Sequence, residues 1–479
     1  MDAPQADAVR VFAGVRAGRW LAPVALALCL LVAGGAAAQA TWARGQPVVT
    51  SDGDVSMVPI GMIRPDPRGP QADPVLDRTS LDVSATYDVN AHLDWARGSL
   101  RVDSLISVAN SSGGPLTRLE FNTVAAKLGR MHLISASVDG TSVSPNIAGQ
   151  TLTITLPSTL AENATASVRI VYRAWFRHSF GGDDWLWSLT DGVASAYRFI
   201  PWVSRRVPFD RPNSGDPFVT PVSQFVRVTL SSERRLTFAT SGDRTSDDGL
   251  SQTFEARNVR DFNFTASPYY SVRSGLSTDG QTKIRVYTRW GNATTILHSA
   301  RRAFADYETW IGQYPYPTFS IAETPGGFGM ESPALIWIPR SPPYLDYLVS
   351  HETAHQWFYA TVGNDQSTDE FADEALVDFM ARTHVHLFRG SQCASDRFDL
   401  PIYHYSKFCY YEVIYIQGSD WLNKLRSDMG NANFWGALRQ YYADYRFRIS
   451  SDKALLEALR SHAGDWVLHR YHARFPSLY

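Results

Sequence analysis

The chain has almost no net charge: 45 Lys and Arg against 47 Asp and Glu leave a formal −2. A nucleic-acid binder needs a basic face and a solvating tail needs a run of one sign, so nucleic acid is excluded as a partner on charge. Internal repeats and low-complexity tracts are also absent, which excludes a repeat array. Long uncharged apolar runs are scarce, and the one that stands out is Leu21 to Ala40. Arg10, Arg16 and Arg19 precede its apolar part, Leu21 to Ala33, and it ends in Ala38-Gln39-Ala40. A charged start, a short apolar run and an A-x-A site predict a secretory signal over residues 1–40, hence export to a periplasmic or extracellular space. The alternative is an uncleaved membrane tether through residues 21–40, since about twenty such residues can span. A lipid anchor on Cys29 is disfavoured by Leu28, where such signals carry a small residue. Cysteine is scarce, at 3 in 479 residues. Once Cys29 leaves with the signal, Cys393 and Cys409 form an even pair in an oxidising compartment and are expected to be bonded; two buried free thiols are the alternative.

What the chain does have is length and core material: 479 residues with 13% aromatics suggest two or three domains. Residues 41–78, rich in Pro, Gly and Asp, read as an irregular linker or arm. From residue 79 to about 274 short alternating segments recur between turn signals: Leu81 to Asp88, Ser99 to Ala109, Leu152 to Leu156, Ala166 to Tyr172, Gln224 to Leu230 and Phe262 to Val272. Period-two patterning of this kind predicts an antiparallel β domain. Beyond it, over 275–479, the period becomes helical. Ile296, Ala300, Ala303, Phe304, Tyr307, Trp310 and Ile311 mark a long helix stopped by Pro315 and Pro317. Two strands, Thr318 to Ala322 and Leu335 to Ile338, are expected to be joined through a glycine-rich stretch, Pro325 to Ser332. Further helices are expected from Glu374 to Leu387, from Glu412 to Leu425, around Phe434 to Tyr442, and at the end of the chain. The fold class is therefore α+β, a β domain followed by a mainly helical one.

One stretch organises the rest: His351-Glu352-Thr353-Ala354-His355, two imidazoles four residues apart around a carboxylate. On a helix both rings share one face and can reach one ion, while Glu352 sits beside it. Zn2+, one per chain, is the implied cofactor, because catalytic zinc takes three protein ligands and keeps a position for water. Glu374, after eighteen intervening residues, is the candidate third ligand. Asp373 is either an orienter of a zinc-bound imidazole or a solvated helix charge. The glycine-rich stretch around Gly329 is a candidate wall of the cleft, since glycine allows close backbone approach.

These residues resemble the gluzincin zinc aminopeptidases of the membrane alanyl aminopeptidase and leukotriene hydrolase type, over roughly Leu81 to Tyr479. His351, Glu352, His355 and Glu374 match that family's zinc motif, and Gln356-Trp357-Phe358 fits its continuation. Gly329-Met330-Glu331-Ser332 is similar to its G-x-M-E-N motif. The resemblance makes Gly329 and Met330 substrate-binding residues and Glu331 the partner of a substrate's free α-amino group. Tyr415-Ile416-Gln417-Gly418 resembles Tyr-Glu-Lys-Gly, which makes Tyr415 the donor to the tetrahedral intermediate and Glu352 the general base. Gly215-Asp216-Pro217-Phe218 and Asn258 to Phe262 resemble the family's N-terminal domain. The implied fold is a saddle-like β domain followed by a thermolysin-like catalytic domain, in a short form lacking the helical C-terminal domain. The implied function is a metallo-aminopeptidase acting on peptides with a free N-terminus. Departures are Asp373 and Ala375 around the ligand Glu, Ser332 for Asn and Gln417 for Lys. Around Ala196 to Pro201 no Gln or Glu stands where many members grip the amine. A zinc endopeptidase, an epoxide-opening hydrolase and an inactive zinc-bearing module remain the alternatives.

Overall fold

The computed structural model describes residues 82–394 and 397–479, together with two short strands, Pro47–Val49 and Val55–Met57. These two pair antiparallel within the stretch expected to be an irregular arm, with Pro47 opposite Met57. The signal or tether expected over residues 1–40 lies outside the described residues, as does the rest of that arm. Among the described residues no helix is long and apolar enough to cross a membrane.

The first part of the described chain is β-rich. Strand Val83–Asp94 shows why: Tyr87, Val89, Ala91 and Leu93 are buried while Asp88, Asn90 and His92 face out, the alternation a half-covered sheet imposes. It pairs antiparallel with Ser99–Asn110, which pairs with Thr165–Trp175, inside an eight-stranded sheet. Two four-stranded sheets complete this part, one running Trp202–Val203, Leu116–Asn122, Thr151–Leu160, Asn146–Ala148. The Tyr87 ring stacks on Trp202 at 4.1 Å between centroids, joining the large sheet to this smaller one. The sheet is not wholly antiparallel, because Val226–Ser232 lies parallel to Val83–Asp94. The single strand expected over Phe262 to Val272 is two, Phe264–Ser267 and Ser271–Leu276, in different sheets; Pro268 and a turn divide them.

Ser271–Leu276 is the edge of a five-stranded sheet that continues through Lys283–Thr288, Thr318–Thr324, Leu335–Pro339 and Met330–Ser332. The two strands expected on either side of the glycine-rich stretch are present but lie parallel. The stretch itself supplies the antiparallel edge strand, with Glu331 opposite Ile336. Helix Ala293–Trp310, capped by the Asn292 side chain on the Thr294 and Thr295 amides, covers this sheet with Ile296, Ala300, Phe304 and Tyr307. Helices Leu345–Ala354, Glu374–Val385, Gly418–Met429, Asn431–Tyr445, Asp452–Ala463 and Leu468–Arg474 follow, with shorter helical turns between them. The helix expected from Glu412 begins instead as a π-helical segment, Tyr411–Gln417. Such widened turns are rare and collect at functional sites. It is followed at once by Gly418, which crosses Glu374–Val385 so closely that a Cβ on it would lie 2.6 Å from the Ala375 Cβ.

Candidate metal centre and active site

Helix Leu345–Ala354 ends just before His355, its C-cap, whose φ of −60° and ψ of −13° stay in the helical region. The two imidazoles therefore share a face although the regular helix has stopped, with ring centroids 5.0 Å apart. Glu374 opens the facing helix, and its Oε2 lies 3.2 Å from His351 Nε2 and 3.5 Å from His355 Nε2. Ligand atoms of all three residues fall within 4.8 Å of one another, and all three are buried. Glu374 Oε2, though buried, accepts no hydrogen bond. A buried carboxylate oxygen without a hydrogen bond, facing two imidazole nitrogens, is the donor set and spacing that a tetrahedral N/O zinc site requires, so the residues fit the metal. Burial opposes charge on Glu374, but the His355 and His351 imidazoles hold its carboxyl well below the usual carboxylate range.

The outer contacts orient these donors. Asp373, itself buried, places Oδ1 2.9 Å from His355 Nδ1, which fixes the ring with Nε2 turned to the centre. Of the two readings of Asp373, the geometry matches the orienter. Asp378, one turn beyond Glu374, lies 3.7 Å from His351 Nδ1 and is held by Tyr347 and Arg382. Sequence reading did not single it out, although its i, i+4 spacing from Glu374 was a usable signal.

Glu352 is buried and its Oε2 is without a hydrogen bond; burial pushes its carboxyl up to about 7. Gly329 lies against it: a Cβ there would sit 2.0 Å from Glu352 Oε1. Glu331 joins Glu352 and His355 in a second group of buried donor atoms within 4.8 Å of one another. Burial, followed by the Asp216 carboxylate, pushes Glu331 well above its ordinary range. Met330, buried on the same strand, pairs with Trp337 and lies in the sheet core. The edge strand is tied to the histidine helix by Gln356, which donates to the Ser332 carbonyl at 2.9 Å and accepts from the Ala334 amide at 2.8 Å.

Tyr415 comes from the π-helical segment and stacks on His351 at 5.5 Å and 16°. Burial, then the Glu374 charge, raises its hydroxyl well above the ordinary value, so it remains a proton donor. The disulfide Cys393–Cys409 is present, with Cα atoms 5.7 Å apart. Gln417, at the end of the Tyr415 segment, donates to the Cys393 carbonyl and to Ser391 Oγ. The bridged loop is thus fastened to the segment that carries the tyrosine.

Unlike Asp378, three further residues carry no signal in the sequence: Gln366, Arg198 and Tyr359. Gln366 Nε2 donates to Glu331 Oε1 at 2.8 Å. Arg198 stands in the stretch where a Gln or Glu was sought; its guanidinium packs over Phe218 at 4.2 Å and donates to Tyr359 at 2.8 Å. Neither Gln366 nor Arg198 follows a period, so no pattern flagged them.

No known family profile matches the chain by sequence. By structure it is similar to a solved M1 zinc metallopeptidase from Deinococcus radiodurans, with a TM-score of 0.62 and 19% identity, covering 83% of this chain and 95% of that one. A point mutant of the Deinococcus enzyme bound to the peptide Tyr-Ser-Ala gives 0.61 and 19%, over 83% and 96%. A two-domain M1 zinc metallopeptidase mutant bound to L-arginine gives 0.62 and 20%, over 83% and 96%. The chain has the fold of these proteins, a β-rich region followed by a helical one.

Proposed function

We propose that the chain is an exported zinc metallopeptidase, an aminopeptidase that releases residues from the free N-terminus of peptides. The observation that carries this reading is the convergence of two donor groups on His355: the ligand set with His351 and Glu374, and the carboxylates Glu352 and Glu331. Fold likeness to metallopeptidases solved with a tripeptide and an amino acid adds to it. The disulfide supports export, since such bonds persist in oxidising compartments.

His351, His355 and Glu374 would hold the zinc, which when bound polarises a carbonyl and lowers the pKa of water toward about 7. Glu352, buried and not a ligand, removes the proton of the attacking water and returns it to the leaving amine. Tyr415 donates its hydroxyl hydrogen to the oxyanion that develops on the scissile carbonyl, a contribution of roughly 3 kcal/mol. Glu331 receives the substrate ammonium. A carboxylate whose charge is penalised by burial and by neighbouring carboxylates gains most when a cation arrives. Gly329 and Met330 bring that carboxylate to the cleft on a strand no side chain at 329 would allow.

The test compares Tyr-Ser-Ala with its N-acetyl form. Glu331→Ala should lower kcat/KM on the free peptide by roughly two to three orders of magnitude, with zinc content unchanged. Equal cleavage of both forms by the parent enzyme would instead mark an endopeptidase.

A further inference from the structure

We infer that Gln366, held by Arg198, which Tyr359 and Asp261 in turn engage, is a positioning residue that orients Glu331 while keeping its charge available for a substrate ammonium. This inference rests on the aminopeptidase reading and goes beyond it. Starting at Glu331, hydrogen bonds can be followed through buried groups until they return to the neighbouring residue. Gln366 Nε2 donates to Glu331 Oε1 at 2.8 Å, and Arg198 donates to Gln366 Oε1 at 3.5 Å and to the Tyr359 hydroxyl at 2.8 Å. Tyr359 donates to Asp261, which also lies 3.5 Å from the Arg198 guanidinium. Asn263 Nδ2 then donates to Asp261 Oδ1 at 2.9 Å and to Ser332 Oγ at 2.5 Å. Ser332 follows Glu331, so the ring closes. All of these side chains are buried.

Two features of the ring bear on the ammonium. First, the amide orientation of Gln366 is dictated by its neighbours: its NH2 must face the carboxylate and its oxygen the guanidinium, because the reverse opposes donor to donor and acceptor to acceptor. Second, the cation is kept one residue away. A direct Arg198–Glu331 ion pair would neutralise Glu331 and leave a substrate ammonium beside a guanidinium. Instead Asp261 and Tyr359 engage Arg198, and a neutral amide stands between it and Glu331. Tyr359 also sits at φ 120°, a region a tyrosine rarely adopts. Such strain persists where surrounding contacts over-determine it, and here the hydroxyl is fixed from two sides by Arg198 and Asp261.

Gln366→Leu keeps the volume and removes both hydrogen bonds. The expected result is a rise in KM for the unblocked tripeptide of about ten-fold with a much smaller change in kcat. Cleavage of the N-acetyl form, zinc content and melting temperature should remain close to the parent. Tyr359→Phe, which deletes a single oxygen, should move KM in the same direction by a smaller factor, and it decides alone if the leucine variant does not fold. An equal loss on both peptide forms, or an unchanged preference for the free amine in the variants, overturns the inference. A parent enzyme with no such preference overturns the aminopeptidase reading beneath it.

Discussion

Gly329 lies so close to Glu352 that a Cβ added to it would sit 2.0 Å from the carboxylate oxygen Oε1. Glycine here provides the room in which the Glu352 carboxylate, proposed as the general base, stands. Gly329→Ala should push that carboxylate aside without touching the His351, His355 and Glu374 donors. A misplacement of about 1 Å in a reacting group costs on the order of a hundred-fold in rate, so kcat should fall by that order with zinc retained. Steady-state kinetics beside metal analysis checks this.

Glu352 lies between the two histidines but faces Gly329 and Glu331 rather than the His351–Glu374 pair. Glu352→Gln should therefore bind one zinc per chain as the parent does and lose at least about a hundred-fold in turnover. A glutamine variant that loses its metal would make the residue a ligand.

Asp373 holds His355 through Nδ1 at 2.9 Å. Removing such a partner typically weakens metal binding by about ten- to a hundred-fold. Asp373→Ala should show that loss in competition with a chelator, while supplying excess zinc restores most of the activity.

Cys393 and Cys409 close a loop with a sequence separation of 16. In the chain-entropy account a loop of this size contributes about 3 kcal/mol, so Cys409→Ser should lower the unfolding free energy by that order in denaturant titrations. Non-reduced peptide mapping of the purified protein should return the two cysteines linked.

The candidate metal donors were legible because metal chemistry leaves a regular trace: imidazoles four residues apart, a carboxylate between them, and a glutamate on the next helical segment. The sheet strands were legible where one face is covered, as in Val83–Asp94, whose alternation is a direct record of burial. Legibility failed where pairing is decided by distant chain. Nothing local to Thr318–Thr324 and Leu335–Pro339 distinguishes a parallel pair from a hairpin, and nothing in Tyr411–Gln417 announces a π-helical segment. The polar ring around Glu331 was invisible for a related reason. Arg198, Asp261, Asn263, Tyr359 and Gln366 are spread over nearly 170 positions, up to |i−j| = 168 between the first and last, and meet only once the fold is complete.

The crossing of Gly418 over Ala375 determines the order in which these two positions can change over evolutionary time. The methyl of Ala375 already occupies the clearance between the two helices, 2.6 Å from where a Cβ on Gly418 would lie. Position 418 can gain a side chain only after position 375 has given one up, whereas Ala375→Gly is open at any time. One helix begins with Glu374 and the other continues directly from the segment bearing Tyr415. A lineage that took the steps in the wrong order would therefore pass through an intermediate in which the segment bearing Tyr415 is wedged away from the helix that begins at Glu374.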